Sequence, residues 1–407
     1  MNVASIKSYL AKVDLPCDLA NLPHDAYLVG GSVRDALLQR YKVPWDLDFV
    51  LPTKAIATAR QFANLYHGGF VVLDAAREIA RVVFEQGTLD FAQQNNSLEI
   101  DLNRRDFTIN AIAYNIQSEK LVDPLGGIPD LAQGILRMVS VNNLEEDPLR
   151  LFRAYRQAAQ LEFTIEPATR TAIGDRVSLL KTIAAERVQA ELNYILDAPQ
   201  GNKWLITAIG DGLLNFWLPH ANQVNLKQLD NLSQGIELCL GSNLNCPELS
   251  LLAKLSTLVA SEPTVAEAEL TRLKYARTQI KSVTKTVKCL PKLQQLTEQM
   301  TLREQYLWFL EVKDIFPILI VRAICSEVSQ PILNSLIERY LDPSDQIAHP
   351  QCLVTGNDLI HQLNLKPSRL IGELLTEIQI AQIESKIANP QQAIEFASTW
   401  LQSKNQY

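Results

Sequence analysis

The pattern of hydrophobic and polar positions changes near residue 145 of this 407-residue chain. Before that point, short apolar runs alternate with helical stretches and glycine-rich turns, which is typical of β-strands in a mixed α/β head of about 140 residues. The predicted strands are AYLVGG (26–31), DLDFVLP (46–52), GGFVVLD (68–74), ARVVFEQ (80–86) and TLDFAQ (88–93). After that point, almost every apolar residue recurs at helical spacing and prolines such as Pro263, Pro291 and Pro331 separate the segments, which predicts an all-helical remainder.

The second predicted strand carries two acids, Asp46 and Asp48, at positions i and i+2. Because successive strand side chains alternate between faces, we expect both carboxylates on one face while Leu47 and Phe49 point into the core. The two Cα atoms would lie roughly 6.6 Å apart, so that both carboxylates could hold a shared pair of divalent ions. Oxygen ligands that retain some water suit Mg²⁺, and a two-Mg²⁺ site can carry out an in-line phosphoryl transfer. The alternative for this motif alone is a surface strand with two solvated acids.

A glycine turn precedes this strand. The run AYLV ends in Gly30 and Gly31, and a helix is predicted to begin there, with Ser32 as its N-cap and Asp35 at the N3 position. Free N–H groups at such a helix start, approached closely because glycine lacks Cβ, bind phosphate, and Arg34 is expected to add a charge-assisted contact. The turn and the carboxylate strand together predict a site for a nucleotide.

Composition and charge narrow the class of protein. Hydrophobic residues make up 47% and charged residues 20% of the chain, which is typical of a soluble, well-packed protein. No apolar run reaches the ~20 residues that span a bilayer, and the N-terminus lacks a signal-peptide pattern, so we expect a cytoplasmic protein without a membrane partner. The six cysteines and five histidines are scattered, which argues against a zinc site or a disulfide framework. Because the net charge is −7, any polyanion must be held by a local basic surface.

The motif GGSVRDALL (30–38) followed by DLDFV (46–50) resembles the first motif of the class II tRNA nucleotidyltransferase and bacterial poly(A) polymerase family, which belongs to the polymerase-β-like nucleotidyltransferases. Further motifs resemble that family in the expected order: RRDFTINAIAYN (104–115), DPLGGIPDL (123–131), EEDPLRLFRAYRQAAQ (145–160) and ERVQAEL (186–192). A weaker resemblance, LVTGNDLI (353–360) with LKPSRLIGELL (365–375), lies in the tail, where the family more often has Gly-Pro in place of Ser368-Arg369.

The resemblance implies a fold and a division into domains. It implies an α+β nucleotidyltransferase head with a polymerase-β-like mixed sheet over residues 1–139, a helical neck that recognises the base over 140–200, and an elongated all-α body and tail that binds tRNA over 201–407. DPLGGIPDL is expected to be a glycine hinge between head and neck, and ERVQAEL resembles the helix that supports the base-reading helix.

The resemblance also implies roles for individual residues. Asp90 is the best positional match to the family's third catalytic carboxylate, although a lone strand Asp is more often structural. Arg105 matches the position that contacts the triphosphate, where a guanidinium binds phosphate oxygens in a bidentate manner. Asp106 is expected to be a structural partner of an arginine that supports the sheet.

The resemblance further implies that Asp147 and Arg150 read the incoming base as a protein template. Asp147 precedes Pro148 in the pattern of a helix N-cap, and Arg150, three residues on, shares its face. A carboxylate accepts from the exocyclic amino group of cytosine or adenine, whereas uracil and guanine would place an unpaired carbonyl against it. Arg153 continues this face toward the phosphates. Without the family context, the pattern would indicate a capped helix with a solvated arginine stripe.

A basic segment in the tail is the candidate surface for RNA. Residues 272–292 contain seven basic residues and no acid. Four of them, Arg277, Lys281, Lys285 and Lys288, fall on one helical face and are predicted to bind an RNA backbone. A charge stripe is usually a solvated face, which is the alternative here.

The segment between Asp90 and Arg104, FAQQNNSLEIDLN (91–103), contains no basic residue and is short. In the family, a longer loop at this place is associated with switching the pocket from C to A. The short loop therefore resembles that of the CC-adding branch, which implies tRNA and CTP as substrates, with ATP as a further candidate and no obligate protein partner. The alternatives are a complete CCA-adding enzyme, a poly(A) polymerase, a small-molecule nucleotidyltransferase and, outside enzymes, an RNA-binding module that has lost catalysis.

Overall fold

The computed structural model describes residues 2–221, 223–241, 244, 246–295, 300–326 and 328–404. The chain divides into two compact units, Met1–Phe216 and Trp217–Tyr407. The finer division into a head, a neck and a body with boundaries at 139 and 200 is not tested by this two-unit division and stays a prediction.

The first unit contains the strands. They are β1 (Tyr27–Val29), β2 (Trp45–Leu51), β3 (Gly69–Asp74), β4 (Ile79–Phe84), β5 (Gly87–Gln93), β6 (Ala113–Asn115), β7 (Leu121–Val122), β8 (Ile135–Leu136) and β9 (Thr164–Ile165). Seven of them form one sheet in the order β3-β4-β5-β2-β1-β6-β7, and β8 and β9 form a separate pair. Within the large sheet β2 and β5 are parallel and the other neighbours are antiparallel, so the sheet is mixed. The five strands predicted between residues 26 and 93 are confirmed.

Helices surround this sheet in the first unit. They are α1 (Val3–Lys12), α2 (Gly31–Leu37), α3 (Ala55–Leu65), α4 (Leu98–Asn103), α5 (Gly127–Gln133), α6 (Val141–Glu146), α7 (Leu149–Leu161), α8 (Pro167–Gly174), α9 (Ala185–Asp197) and α10 (Gly201–Gly210). Short 3₁₀ turns occur at Leu19–Asn21, Thr108–Asn110 and Val177–Thr182.

The large sheet has one covered face and one open face. On β2, Leu47 and Phe49 are fully buried. The Phe49 ring stacks on that of Phe91 with centroids 5.6 Å apart, and Phe62 of α3 packs on Phe91 at 5.9 Å. Helix α3 also packs against β3 and β4, so it covers this face. The opposite face is therefore the one on which polar side chains of β2 can meet a ligand.

The second unit is all-helical, as predicted. Its helices are α11 (Gln223–Leu240), α12 (Leu249–Leu258), α13 (Pro263–Arg272), α14 (Arg277–Gln294), α15 (Leu302–Val312), α16 (Phe316–Ile324), α17 (Gln330–Leu341), α18 (Gly356–Gln362), α19 (Arg369–Ile383) and α20 (Pro390–Lys404), with a 3₁₀ turn at Lys313–Ile315. Pro263 and Pro331 lie in the first turns of α13 and α17, where proline is well tolerated. The expectation that Pro291 separates two segments was wrong, because it lies within α14, close to the end of that helix.

The three last helices, α18, α19 and α20, share a hydrophobic core of their own around Leu359, Leu374 and Ala393. Within the described part of the chain, the apolar length that a bilayer-crossing helix requires is not reached by any helix.

Candidate active site

The carboxylate strand β2 lies at the centre of the large sheet and turns its acids to the open face. Asp46 is exposed and Asp48 is half-buried, whereas Leu47 between them is fully buried. The alternation of side chains along the strand therefore places both carboxylates on one side, as the sequence predicts.

The neighbouring strand β5 brings further polar side chains to this face. Asp48 lies opposite Asp90, and Asp46 lies opposite Thr88, in the parallel β2–β5 pair. The Thr88 hydroxyl donates to Asp46 Oδ1 at 2.5 Å. Asp90 is held by Arg81 of β4 in a bidentate ion pair, with Nε–Oδ1 and Nη2–Oδ2 both at 2.7 Å. Asp90 thus lies beside the two acids of β2 but has its own counter-charge.

The surroundings of Asp48 shift its pKa. Burial and then the charge of Asp46 raise the pKa of Asp48 to about 7, with Asp90 adding to the rise and Arg105 and Arg81 opposing it. The hydrogen bonds to Asp90 raise the pKa of Arg81 further above its ordinary value, so this guanidinium stays charged. The β2 carboxylates therefore form a site with excess negative charge that a cation would stabilise.

The glycine turn lies directly against β2. Helix α2 begins at Gly31 with Gly30 as its N-cap at a positive φ of 70° and a ψ of −133°, so the prediction that Ser32 is the N-cap was wrong. Instead the Ser32 hydroxyl accepts from the Asp48 N–H at 3.0 Å and donates to the Asp46 carbonyl at 3.1 Å. The turn is thereby fixed to the backbone of the carboxylate strand, which the N-cap interpretation had missed.

Arg34, one turn into α2, is buried and paired. It contacts Asp35 at 2.9 Å and donates to Asn110 Oδ1 at 2.7 Å and to Gln157 Oε1 at 3.2 Å. Burial alone would raise the pKa of Asp35, but Arg34 and Lys42 together hold it below the ordinary value. Much of the hydrogen-bonding capacity of Arg34 is therefore used within the protein.

Arg105 lies beside the glycine turn. A Cβ at Gly30 would approach Arg105 Nη1 to 2.5 Å, so glycine is required for this close contact as well as for its positive φ. Asp101 on α4, which is fully buried, holds Arg105 Nη2 at 3.2 Å and also binds Arg104. The Arg105 Nε is buried and makes no hydrogen bond. Sequence reasoning missed Asp101, although an acid four residues before an arginine is a recognisable pairing signal.

The residues predicted to read the base lie between α6 and α7. Asp147 is the last residue associated with α6, and α7 begins at Leu149 after Pro148, so the predicted N-cap is displaced by one residue. Asp147 Oδ1 nevertheless accepts from the Leu149 N–H at 3.3 Å. Arg150 donates to the carbonyl of Asn143 at 2.9 Å, which orients its guanidinium.

Arg153 pairs with Asp106 rather than standing free. Its Nε and Nη2 both lie 2.8 Å from Asp106 Oδ2. Burial would raise the pKa of Asp106, but Arg153, the Asn110 amide and the Phe107 N–H hold it below the ordinary value. Asp106 has the arginine partner that was expected of a structural acid, and this partner comes from α7.

Helix α9, which contains the ERVQAEL motif, packs against α7. Arg187 Nη2 contacts Asp147 Oδ2 at 3.0 Å and Oδ1 at 3.2 Å. Glu191, which is buried, pairs with Arg156 at 2.6 Å. Two ion pairs thus join α9 to Asp147 and to α7, and the contact of Arg187 with Asp147 was not predicted.

Most of the residues predicted to bind the nucleotide line one cavity of about 420 Å³ in the first unit. Its lining includes Gly31, Ser32, Arg34, Asp46, Asp48, Arg105, Asp147, Arg150 and Arg153. Gly30 and Asp90 are not among its lining residues.

The predicted RNA-binding stripe lies on α14 in the second unit. Lys288 pairs with Glu311 at 3.0 Å, and Lys285 approaches Asp314 at 3.9 Å. Among the described residues, Arg277 and Lys281 are exposed and have no acidic partner within ion-pair distance. Within the described part of the chain, two positions of the stripe therefore have an acidic side chain within ion-pair distance and two have none.

The two β2 acids are the candidate metal ligands. Over the residues that the structure describes, no group of three or more His, Cys, Asp or Glu side chains is arranged to hold a metal ion. Magnesium is commonly bound by one or two carboxylates with water and substrate phosphates completing the shell, so Asp46 and Asp48 fit this mode. The raised pKa of Asp48 indicates the same need for a cation.

Three family models match the chain. They are the poly A polymerase head domain (residues 26–137), the probable RNA- and SrmB-binding site of polymerase A (162–224) and the putative tRNA nucleotidyltransferase domain 2 (248–397). The chain is 48% identical over 406 residues to the Synechocystis sp. CC-adding tRNA nucleotidyltransferase. This alignment covers 96% of this chain and 97% of that protein. The chain is 32% identical to the A-adding tRNA nucleotidyltransferase of Deinococcus radiodurans, over 94% of this chain and 97% of that protein.

Solved structures share the fold. A CCA-adding enzyme in complex with CTP superposes with a TM-score of 0.76 at 22% identity, covering 98% of this chain and 99% of that one. The Thermotoga maritima CCA-adding enzyme complexed with tRNA gives a TM-score of 0.74 at 21% identity, over 98% and 99% of the two chains. The predicted fold class, a mixed-sheet head followed by helices, is confirmed.

The full-length relatives and the head-domain match show that the chain is a nucleotidyltransferase. Because the identity to the Synechocystis relative extends over nearly the whole of both chains, the chain belongs to the tRNA nucleotidyltransferase and poly(A) polymerase family.

Proposed function

We propose that this protein adds cytidine residues, two in succession, to the 3′ end of tRNA from CTP and releases pyrophosphate. The observation that carries the proposal is the cavity that joins the carboxylates of Asp46 and Asp48 to Arg105 and to the pair Asp147 and Arg150. The two carboxylates suit the reacting phosphate, and Arg105 suits the remainder of the triphosphate. Asp147 and Arg150 suit the base.

In this reaction, the 3′-hydroxyl oxygen of the RNA attacks the α-phosphorus of CTP while the bond to the β-phosphate oxygen breaks. The hydroxyl proton passes to water, and the bridging oxygen leaves with the pyrophosphate. Asp46 and Asp48 are the residues that would hold Mg²⁺, and Mg²⁺ supplies charge stabilisation to the attacking and leaving oxygens. Arg105 contributes donors to the triphosphate, since it lines the same cavity as the two carboxylates and its side chain is 22% exposed there.

Asp147 and Arg150 are suited to distinguish cytosine from uracil. The Asp147 carboxylate would accept from the exocyclic amino group, and Arg150 would donate to the adjacent ring acceptor. Uracil presents a carbonyl in place of that amino group, which would leave the carboxylate unpaired against it. Arg187 and the Asn143 carbonyl hold the two side chains in place, so little reorganisation is required on binding.

Two observations support CTP rather than ATP as the main substrate. Only residues 94–97 separate β5 from α4, so the segment associated with switching the pocket from C to A is very short. The relatives include CC-adding enzymes of Synechocystis sp. and Geobacter sulfurreducens, the latter 44% identical over 184 residues. A complete CCA-adding activity and a pure A-adding activity are the alternative outcomes of the test.

The test uses the full chain with Mg²⁺ and three acceptors: tRNA lacking CCA, tRNA ending in C and tRNA ending in CC. Each is incubated with labelled CTP or labelled ATP, and products are resolved at single-nucleotide resolution. We expect CTP alone to label the first two acceptors and addition to stop at CC. Efficient addition of A to tRNA ending in CC would overturn the proposal in favour of a CCA-adding enzyme.

A variant separates an enzyme from an RNA-binding module. Asp46→Ala removes one of the two candidate metal ligands, and we expect it to abolish addition while leaving the affinity for tRNA unchanged in a filter-binding assay. Glu85→Ala is the matched control, because Glu85 is an exposed acid next to the same sheet, in the turn between β4 and β5. Activity that survives Asp46→Ala would contradict the assigned role.

A further inference from the structure

The open face of the large sheet continues beyond the carboxylates onto β4 and β3. Asp48 lies opposite Asp90, Asp90 opposite Arg81, and Arg81 opposite Val71, so these residues form one row across four strands. In the next row, Asp46 lies opposite Thr88, and Thr88 lies opposite Val83. Val71 and Val83 therefore share the face of the catalytic candidates, and we call these two residues the valine strip.

The valine strip is exposed although its side chains are aliphatic and belong to regular strands. Val71 is 46% and Val83 is 39% exposed, whereas Ala80 and Val82, on the other side of β4, are fully buried. Helix α3 covers that other side. The residues buried under α3 thus stabilise the antiparallel pair β3–β4, and the valine strip on its opposite face is in contact with water.

The spacing between strands gives the distance from the valine strip to the carboxylates of β2. Neighbouring strands lie about 4.8 Å apart, which places Val83 roughly 10 Å and Val71 roughly 14 Å across the sheet from β2. Stacked nucleotides repeat about every 3.4 Å along one strand, so these distances correspond to roughly three to four nucleotides. An RNA whose 3′-hydroxyl reaches Asp46 and Asp48 across this face would have its terminal nucleotides over the strip.

Arg81 gives this surface a charge that fits RNA. It lies next to Val83 on the same side of β4, and its side chain is 36% exposed. The pair with Asp90 uses the Nε and Nη2 donors, and a guanidinium has five N–H groups in all. The remaining donors can bind a phosphodiester, while aliphatic side chains contact sugars and bases without regard to sequence.

We propose that the valine strip, with Arg81 beside it, is the surface on which the 3′-terminal nucleotides of the RNA acceptor rest during addition. The proposal rests on the proposed function and adds to it the place of the acceptor. Continuity with the carboxylate row and the adjacent cation favour RNA over a protein partner or a second copy of the chain pairing through β3.

The test compares Val71→Ser/Val83→Ser with the wild-type protein in steady-state addition of C to tRNA lacking CCA. Loss of the apolar contact should raise KM for the tRNA about fivefold or more, while KM for CTP and the affinity for CTP alone stay unchanged. Val72→Ser is the matched control, because Val72 is 39% exposed on the same strand but points to the other side of the sheet. Circular dichroism melting verifies that all three proteins are folded.

A second measurement does not depend on the effect of a substitution on rate. A photo-crosslinking amino acid at position 71 should react with the last few nucleotides of end-labelled tRNA, and the same group at position 72 should not. Unchanged KM for tRNA in the double variant, equal effects at positions 71/83 and 72, or a change of oligomeric state instead of KM would overturn the proposal. Failure of the wild-type protein to add C at all would instead refute the proposed function, so the two failures can be told apart.

Discussion

The guanidinium of Arg187 contacts both carboxylate oxygens of Asp147, with Nη2 3.0 Å from Oδ2 and 3.2 Å from Oδ1. The contact joins α9 to the residue that precedes α7, across 40 residues of sequence. An ionised carboxylate has about four acceptor positions, so Asp147 can keep this pair and still accept from an amino group. Arg187 is therefore suited to position Asp147 without occupying it completely.

The first prediction concerns this pair. We expect Arg187→Gln to raise KM for CTP about tenfold and to reduce selectivity for CTP over UTP, because Asp147 loses the group that fixes its orientation. The pair is half-exposed, so the change in the free energy of unfolding should stay below about 1 kcal/mol. The measurements are kcat and KM with each nucleotide and a denaturant titration. Arg187→Lys, which keeps the charge but not the planar fork, should give an intermediate result; full activity in Arg187→Gln would show that Asp147 needs no such support.

The sheet could be predicted because the information that defines a strand is local. The alternation around Leu47 and Phe49 was sufficient to place Asp46 and Asp48 on one face, and the structure places them there. The pairing of Asp147 with Arg187 could not be predicted in this way, because it depends on how two helices pack and not on spacing within either one.

The position of Ser32 in α2 could not be predicted either, for a different reason. A serine after two glycines fits an N-cap equally well as a position within the first turn, and the local sequence does not distinguish the two. The choice is made by the tertiary contact with β2, where the hydroxyl bonds to backbone groups of Asp46 and Asp48. Asp101, in contrast, carried a local signal, since it lies four residues before Arg105, and this pairing could have been predicted.

The second prediction follows from the pKa of Asp48, which burial and Asp46 raise from 3.8 to about 7. Between these values the folded protein binds a proton that the unfolded chain has released, so stability falls as the pH rises through this window and stays low above it. In the presence of EDTA, the free energy of unfolding of Asp48→Asn should match that of the wild-type protein at low pH and exceed it by up to about 4 kcal/mol at pH 8, since the pKa of Asp48 is raised by roughly three units. Melting temperatures across the pH range provide the measurement.

Magnesium supplies the control for this prediction. Added Mg²⁺ should raise the melting temperature of the wild-type protein at pH 8, because it stabilises the ionised pair, and should have much less effect on Asp48→Asn. Parallel pH profiles of the two metal-free proteins would contradict the assigned origin of the instability.

The third prediction concerns two adjacent glycines that were expected to form a hinge. Gly126 has a φ of +72° with no atom near its Cβ position, whereas a Cβ on Gly127 would lie 2.2 Å from the Thr108 carbonyl oxygen. Gly127→Ala should therefore destabilise the protein by about 3 kcal/mol or more, because backbone must move. Gly126→Ala is the matched control and should cost about 1 kcal/mol from its positive φ alone. Denaturant unfolding followed by circular dichroism measures both, and equal losses would show that Gly127 is not closely packed.

The fourth prediction separates the two kinds of position on the basic face of α14. Lys281 is exposed and has no acidic partner among the described residues, whereas Lys288 is paired with Glu311. If this face binds RNA, Lys281→Gln should weaken tRNA affinity and reduce the dependence of log K on log salt by about one phosphate contact. Lys288→Gln should change affinity much less, because Glu311 already offsets its charge and also binds Lys292.

Fluorescence anisotropy of labelled tRNA at several salt concentrations measures the tRNA affinity of each variant and the dependence of that affinity on salt. Glu311→Gln extends the same argument in the opposite direction, since it frees Lys288 and Lys292 and should strengthen binding at low salt. Equal effects of Lys281→Gln and Lys288→Gln would show that the ion pairs open when RNA binds. No effect from any of the three would remove α14 from the RNA-binding surface, so that the tRNA body would have to contact other parts of the chain.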